Sequence, residues 1–185
     1  MIVALWLLAV QGALGAFDTV WYHEWRARLA WRREARRELA LHAVRDFLYA
    51  VIFATLPYLE WRGAWAHAFV AILGAEIVIT LTDFVIETYD REVEAGERVT
   101  HAIMGICYGA MLAMLIPVLA RWSGRPTGFA RPMMPMPPAL RGALTLMAAG
   151  VFLSGVRDAI AACSLPPACT TSHGVSTERN EPPCP

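Results

Sequence analysis

Residues 65–87 read WAHAFVAILGAEIVITLTDFVIE, an almost continuous apolar stretch. Its length suits a helix that crosses a hydrocarbon core of about 30 Å at about 1.5 Å per residue. The polar side chains within it recur at helical spacing, at Glu76, Thr80, Asp83 and Glu87. Steps of three and four residues place side chains on one helix face, the face that meets neighbouring helices in a bundle. The stretch therefore predicts a membrane-spanning helix with an acidic seam that faces inward.

The composition extends this prediction to the whole chain. Of its 185 residues, 57% are hydrophobic and 17% are charged, and the mean hydropathy is +0.43. We expect an all-α integral membrane bundle with four core spans, at residues 2–21, 39–59, 65–87 and 99–119, and a weaker fifth candidate at 140–156. These spans make up one domain over residues 1–163. The tail over 164–185 has the composition of a disordered end.

The arginine distribution sets the predicted orientation. No basic residue precedes the first span, which favours a retained helix over a signal peptide. A dense basic run follows it, at Arg26, Arg28, Arg32, Arg33, Arg36 and Arg37. By the positive-inside rule the N-terminus is outside, and the protein is a multi-pass protein of a bacterial inner membrane. Residues 89–98 are then an inner loop, and the Pro- and Gly-rich residues 121–138 are an outer loop.

Residues 25–38 admit two interpretations. One is a short amphipathic helix on the inner membrane surface, and the other is a solvated basic loop that only sets the topology.

Ionisable side chains collect at the predicted inner ends of four helices. They are Asp18, His23, Glu38, His42, Asp83, Glu87, Glu97 and His101. A charged group inside a bilayer costs a few kcal/mol on insertion scales, so such groups usually face the bundle interior and have a function. The sequence thus predicts that carboxylates and imidazoles from separate helices meet at one level near the cytoplasmic boundary.

This combination of side chains is typical of a carboxylate-bridged di-metal site, in which carboxylates neutralise the metal charge and neutral histidines add nitrogen ligands. The predicted ligands are His42, His101, Asp83, Glu87, Asp18, His23 and Glu38, and the metal is iron or zinc. Asp83 and Glu87 are also the candidate catalytic carboxylates. Glu97 is interpreted as an ion-pair partner of an arginine such as Arg98, or of lipid headgroups.

Known sequence motifs do not narrow the function further. The chain lacks the H-x-x-x-H and H-x-x-H-H boxes of membrane desaturases and hydroxylases and the E-x-x-H pattern of soluble di-iron bundles. It also lacks a Walker loop, G-x-S-x-G and G-x-G-x-x-G. Its only dense arginine run lies beside a membrane segment, so we expect no nucleic-acid partner.

The leading functional hypothesis is a small membrane metalloenzyme that acts on a lipid or another hydrophobic substrate. Iron would favour hydroxylation or desaturation, and zinc would favour hydrolysis by metal-bound water. One alternative is a haem b electron carrier with His42 and His101 as axial ligands. Another is a channel, carrier or accessory subunit that moves protons or cations past Glu76. The expected partners are membrane lipid, a hydrophobic small molecule, and another membrane protein or a second copy of the chain.

Overall fold

The computed structural model describes residues 1–133 and 135–164. The long elements among these residues are all helices, which confirms the all-α prediction. The helices are α1 (Ile2–Asp18), α2 (Arg36–Thr55), α3 (Ala64–Asp90), α4 (Ala95–Ser123) and α5 (Pro138–Ser164). Apart from Ser164, the predicted polar tail over 164–185 lies outside the described residues.

Four of the described helical segments are long and apolar enough to cross a membrane. They are Ile2–Ala27, Ala64–Tyr89, Ala95–Ser123 and Pro138–Ser164. Large apolar side chains cover the outside of these helices, among them Ile106, Leu146 and Leu153, each more than 60% exposed. Such a surface is unfavourable in water and favourable against lipid. Length and composition together therefore indicate a multi-pass membrane protein.

Helix α2 is not among those four segments, although we predicted a core span there. Its 20 residues include Glu38, Arg45 and Asp46, which lower the apolar content below that of the other helices. It packs against α3 and α5, so most of these polar groups are enclosed by protein. Helix α5, which we predicted as the weaker candidate, is apolar enough to span a membrane. The structure thus reverses the order in which α2 and α5 were expected to qualify as spans.

The N-terminal helix changes its geometry before it ends. A π-helix, Thr19–Ala27, continues α1, and Arg28 ends it in the left-handed conformation with φ 51°. A single 3₁₀ turn follows at Leu29–Trp31 before α2 begins. The segment over 25–38 is thus neither one amphipathic helix nor a plain loop, because Arg28, in the left-handed conformation, separates the end of the π-helix from the 3₁₀ turn.

A two-stranded ribbon closes one end of the bundle, which we call the ribbon end. Strand β1 (Glu60–Arg62) follows α2, and β2 (Gly128–Ala130) follows α4, and they pair antiparallel. The two predicted outer loops therefore lie at the same end. Strands of three residues are too short to show an alternating pattern, which is why the sequence did not predict them.

The opposite end, which we call the cluster end, is more helical than expected. Helix α3 continues to Asp90 and α4 begins at Ala95, so only residues 91–94 remain of the predicted inner loop over 89–98. The Arg36 Nε donates to the Ala162 carbonyl at 2.9 Å. Arg157 pairs with Glu24. These contacts bring the π-helix, the start of α2 and the end of α5 together at this end.

The apolar core fills the half of the bundle nearest the ribbon. Its fully buried members include Leu5, Leu8, Phe69, Met111, Leu115 and Leu144. Towards the cluster end, buried side chains become polar, and helices approach closely. A Cβ on Gly155 of α5 would lie 3.0 Å from the Asp46 Cβ and 3.2 Å from the Ala43 carbonyl oxygen of α2. Glycine at 155 therefore permits the tight α2–α5 contact.

Candidate metal centre

Three histidines from three different segments converge at the cluster end. His23 lies on the π-helix, His42 on α2 and His101 on α4. The rings of His23 and His42 stack with centroids 4.7 Å apart, and the His101 ring lies edge-on to His23 at 6.4 Å. His23 and His42 are each only 3% exposed. The structure thus places the three predicted imidazoles side by side in the interior.

The π-helix explains how His23 reaches this position. Its hydrogen bonds join residues five apart, so Asp18 and His23 face the same way. The His23 Nε2 lies 3.3 Å from the Asp18 Oδ2, and the His101 Nε2 lies 3.2 Å from the same oxygen. In an α-helix these two side chains would point about 140° apart, because each residue turns by about 100°. One carboxylate oxygen therefore lies between two imidazoles.

His42 has a different carboxylate neighbour. Its Nε2 lies 3.0 Å from the Asp83 Oδ2, and the Arg45 Nη1 donates to that same oxygen at 3.0 Å. On the other side, its Nδ1 lies 4.0 Å from Asp158. Asp83 is thus shared between an imidazole and a permanent cation, which makes it a weaker ligand candidate than Asp18.

The remaining carboxylates surround Arg91, in the loop between α3 and α4. Its guanidinium donates to both oxygens of Glu38, at 2.9 to 3.3 Å, and to both oxygens of Glu97, at 2.5 and 2.8 Å. Glu87 lies 3.6 Å away. Burial alone would lower the pKa of Arg91, but the hydrogen bonds with Glu97 and Glu38 outweigh it and raise that pKa above its ordinary value. Arg91 is therefore a permanent cation within the site.

The charges of the cluster do not balance if its histidines are neutral. Five buried carboxylates, Asp18, Glu38, Asp83, Glu87 and Glu97, face the two guanidinium groups of Arg45 and Arg91, while the buried Asp158 pairs with Arg157. Three negative charges are then uncompensated in a low-dielectric interior, which is costly. The balance is restored either by three imidazolium ions or by bound metal cations.

Hydrogen-bond geometry bears on whether imidazolium ions or metal cations balance the charge. The His101 Nε2 makes a hydrogen bond with the Asp18 Oδ2 at 3.2 Å. The Nε2 atoms of His23 and His42 are buried and have no hydrogen bond of good geometry within the described residues, although carboxylate oxygens lie within 3.3 Å. An imidazolium would point its N–H groups at such oxygens. Two ligand atoms each about 2.1 Å from one metal ion lie about 3.0 to 3.4 Å apart, which is the separation seen here. The positions of His23 and His42 thus fit metal ligation, whereas the contact of His101 with Asp18 also fits a charge-assisted hydrogen bond.

The described residues contain three sets of potential metal ligands. Within each set, the ligand atoms all lie within 4.8 Å of one another. The sets are Asp18, His23 and His101; His23, Glu38 and His42; and Glu87, Glu97 and His101. Of the seven predicted ligands, six belong to these sets, and Asp83 is the exception although it contacts His42. His23 and His101 each belong to two sets, so the sets form one continuous site rather than three separate ones.

Sequence reasoning missed several members of the site. Glu97 pairs with Arg91 instead of Arg98, and its Oε1 also lies 3.3 Å from the His23 Nε2. Arg91 lies in the segment over 89–98 that was predicted only as an inner loop, and Asp158, whose Oδ2 lies 4.0 Å from the His42 Nδ1, lies just beyond the predicted fifth span over 140–156. A signal was present for Glu97, since it lies four residues before His101 and so shares its helix face. For Arg91, in a loop, no periodicity applies.

A second buried polar group lies closer to the middle of the bundle. The Thr80 Oγ1 donates to the Glu76 Oε1 at 2.9 Å, and Tyr49 and Tyr108 both interact with Glu76. The Gln11 Oε1, the Glu76 Oε2 and the Tyr108 hydroxyl have no hydrogen-bond partner among residues 1–133 and 135–164. Four helices thus contribute polar atoms here that a bound water or proton could join.

The fold and the site together define an all-α protein with four potential membrane spans and a buried histidine–carboxylate cluster. Comparison of the chain with known protein families, curated proteins and solved structures finds no match.

Proposed function

We propose that the protein is a small integral membrane metalloprotein whose cluster binds divalent metal. The observation that carries this proposal is the position of the Asp18 Oδ2, which lies 3.3 and 3.2 Å from nitrogen atoms of His23 and His101. Two neutral imidazoles and a carboxylate form a common protein ligand set for iron and zinc. Glu87 and Glu97, on the far side of His101, supply further oxygen ligands.

The reaction we propose is metal-assisted chemistry on a lipid or another hydrophobic substrate. A pair of iron ions would activate oxygen for hydroxylation or desaturation, and zinc would activate water for hydrolysis. The apolar exterior would place such a substrate in contact with the protein from the surrounding bilayer. Glu87 is a candidate for proton transfer, because its Oε1 lies 3.4 Å from the His101 Nδ1 and its Oε2 makes no hydrogen bond with another described residue.

The geometry favours non-haem metal over the haem alternative. A bis-histidine haem needs two imidazoles on opposite faces of a porphyrin, in a largely apolar slot. Here the His42 ring stacks on His23, and His101 is flanked by Asp18 and Glu87 at 3.2 and 3.4 Å. A porphyrin between residues 42 and 101 would displace the His23 ring. The apolar faces of the porphyrin would then lie against the carboxylates of Asp18 and Glu87.

A second candidate function is proton or cation transfer along the seam of α3. The unpaired Glu76 Oε2, with Gln11 and Tyr108 beside it, favours this function. Arg45 lies between this group and Asp83 and interacts with both. Because a guanidinium does not release its proton, it would interrupt a proton chain from Glu76 to the cluster. Transfer would therefore have to pass Arg45 through bound water.

Elemental analysis of the detergent-purified full chain tests the proposal. We expect at least one equivalent of a transition metal and no Soret band in the same sample. Less than one equivalent after reconstitution with ferrous iron or zinc would reject the metal site, and a Soret band would favour the haem alternative. An oxygen-consumption assay and an esterase assay with a phospholipid mixture then distinguish the two proposed reactions.

A further inference from the structure

Arg91 holds together three carboxylates that come from three helices. Glu38 begins α2, Glu87 lies near the end of α3 and Glu97 begins α4. All three are at least 95% buried, and the Arg91 side chain itself is 6% exposed. A convergence of three buried carboxylates on one point creates a strong site for a positive charge, and a guanidinium fills it here.

Glu87 and Glu97 face two positions at once. The Glu87 Oε1 lies 3.4 Å from the His101 Nδ1, and its Oε2 lies 3.6 Å from the Arg91 Nη2. The Glu97 Oε1 lies 3.3 Å from the His23 Nε2 and 2.5 Å from the Arg91 Nη2. The Glu87 Oε2 is buried and makes no hydrogen bond within the described part of the chain. Glu87 directs one oxygen towards each position, which is the geometry of a ligand that bridges two cations, whereas Glu97 meets both positions through its Oε1.

A cavity adjoins the guanidinium. It measures about 210 Å³ and is lined by Arg32, Glu34, Ala35, Glu38, Arg91 and Glu92. This volume exceeds that of several water molecules, and the lining is mostly charged. The cavity therefore offers polar space into which the long Arg91 side chain can turn, and a route by which an aqueous cation reaches Glu38.

We propose that the Arg91 guanidinium occupies a second metal position formed by Glu38, Glu87 and Glu97, and that a second divalent ion binds there by displacing the guanidinium into the adjoining cavity. This inference rests on the proposed function, because the first position is the set of Asp18, His23 and His101. Arg91 then determines whether the site holds one ion or two. Glu87 joins the two positions, because its Oε1 lies 3.4 Å from the His101 Nδ1 and its Oε2 lies 3.6 Å from the Arg91 Nη2, so a second ion would lie next to the first.

Manganese binding by the full chain in detergent tests this inference. We compare the wild type with Arg91→Gln and with the control Arg26→Gln, whose arginine pairs with the exposed Glu94 near the same end. We expect the wild type and R26Q to bind one equivalent tightly and a second weakly. In R91Q the second equivalent should bind about tenfold more tightly or better, because no guanidinium competes for its ligands. Spin-coupled manganese pairs should then be visible by electron paramagnetic resonance.

Several results would overturn the inference. A wild type that binds two equivalents with equal affinity, or a folded R91Q whose second equivalent binds no tighter than in R26Q, would contradict it while leaving the first metal position intact. No binding by any variant would instead reject the proposed function. Should R91Q fail to fold, Arg91→Lys provides the test. An ammonium group cannot make bidentate hydrogen bonds with two carboxylates, as the guanidinium does. R91K should show intermediate affinity for the second ion, and affinity unchanged from wild type would overturn the inference.

Discussion

The imidazole rings of His23 and His42 lie parallel, with their centroids 4.7 Å apart and their planes inclined by 8°. Stacking would be repulsive for two imidazolium ions, because like charges 4.7 Å apart in the interior destabilise each other. It is tolerated when at least one of the two rings is neutral, and a neutral ring has a nitrogen lone pair that can bind a metal ion. The stacked pair therefore argues against two adjacent imidazolium ions, which supports the proposed metal centre.

Replacement of His23 by alanine should remove the metal that the first position binds. The loss follows because His23 belongs to the set with Asp18 and His101 and to the set with Glu38 and His42, so its removal takes a ligand from two of the three sets. We expect metal affinity to fall by about 100-fold or more, measured by competition with a chelator. The matched control is His67→Ala, at an exposed position on α3. Equal affinity in H23A and H67A would contradict the assignment.

Replacement of Glu76 by glutamine should leave the metal content unchanged. Glu76 belongs to the mid-bundle group with Thr80 and Tyr108, and none of the three ligand sets includes it. The matched variant Glu38→Gln, which makes the same chemical change inside the cluster, should lower metal occupancy. Elemental analysis of both proteins checks the prediction. A loss in E76Q as large as that in E38Q would show that the two polar groups act as one site.

Replacement of Gly155 by leucine should destabilise the bundle. Its Cβ would lie 3.0 Å from Asp46 and 3.2 Å from the Ala43 carbonyl oxygen, so α5 would have to move away from α2. Overpacking of this kind costs roughly 1–3 kcal/mol, which a lower melting temperature in detergent would report. Gly150→Leu is the control, because a Cβ at residue 150 meets no described atom within 4 Å. Equal melting temperatures for the two variants would contradict the close α2–α5 contact.

Chemical labelling of Cys163 tests the orientation of the bundle. This cysteine is exposed at the end of α5, beside the basic cluster end. By the positive-inside rule we expect that end to face the cytoplasm. In a variant with Cys107, Cys169 and Cys184 replaced by serine, an impermeant maleimide should label Cys163 only after the cells are opened. Labelling of intact cells would place the cluster end outside.

The sequence predicted the helical class and the meeting of the cluster residues at one end of the bundle, because helical periodicity and the order of the spans determine both. Glu38 and His42 are four residues apart on α2, and Asp83 and Glu87 are four apart on α3, so their faces could be inferred without a structure. The contact of His23 with Asp18 could not be inferred from helical spacing, because the π-helix that aligns the two residues changes the period from four residues to five. No pattern in the sequence predicts the change from α-helix to π-helix at Thr19.

Other features depend on contacts between segments that are far apart in the chain. Arg91 pairs with Glu38 across 53 residues, and Arg36 with the Ala162 carbonyl across 126. A single sequence contains no signal for such pairs when one partner lies in a loop. The ribbon of β1 and β2 is a similar case, since each strand has only three residues and is defined by its partner.

X-ray absorption at the metal edge, on the reconstituted full chain, tests the central proposal most directly. We expect a first shell of nitrogen and oxygen at about 2.0 to 2.2 Å with the outer-shell scattering typical of imidazole. That imidazole scattering should fall in His42→Ala and in His101→Ala. A spectrum without imidazole scattering, or one that stays the same in both variants, would contradict a metal centre built from these histidines.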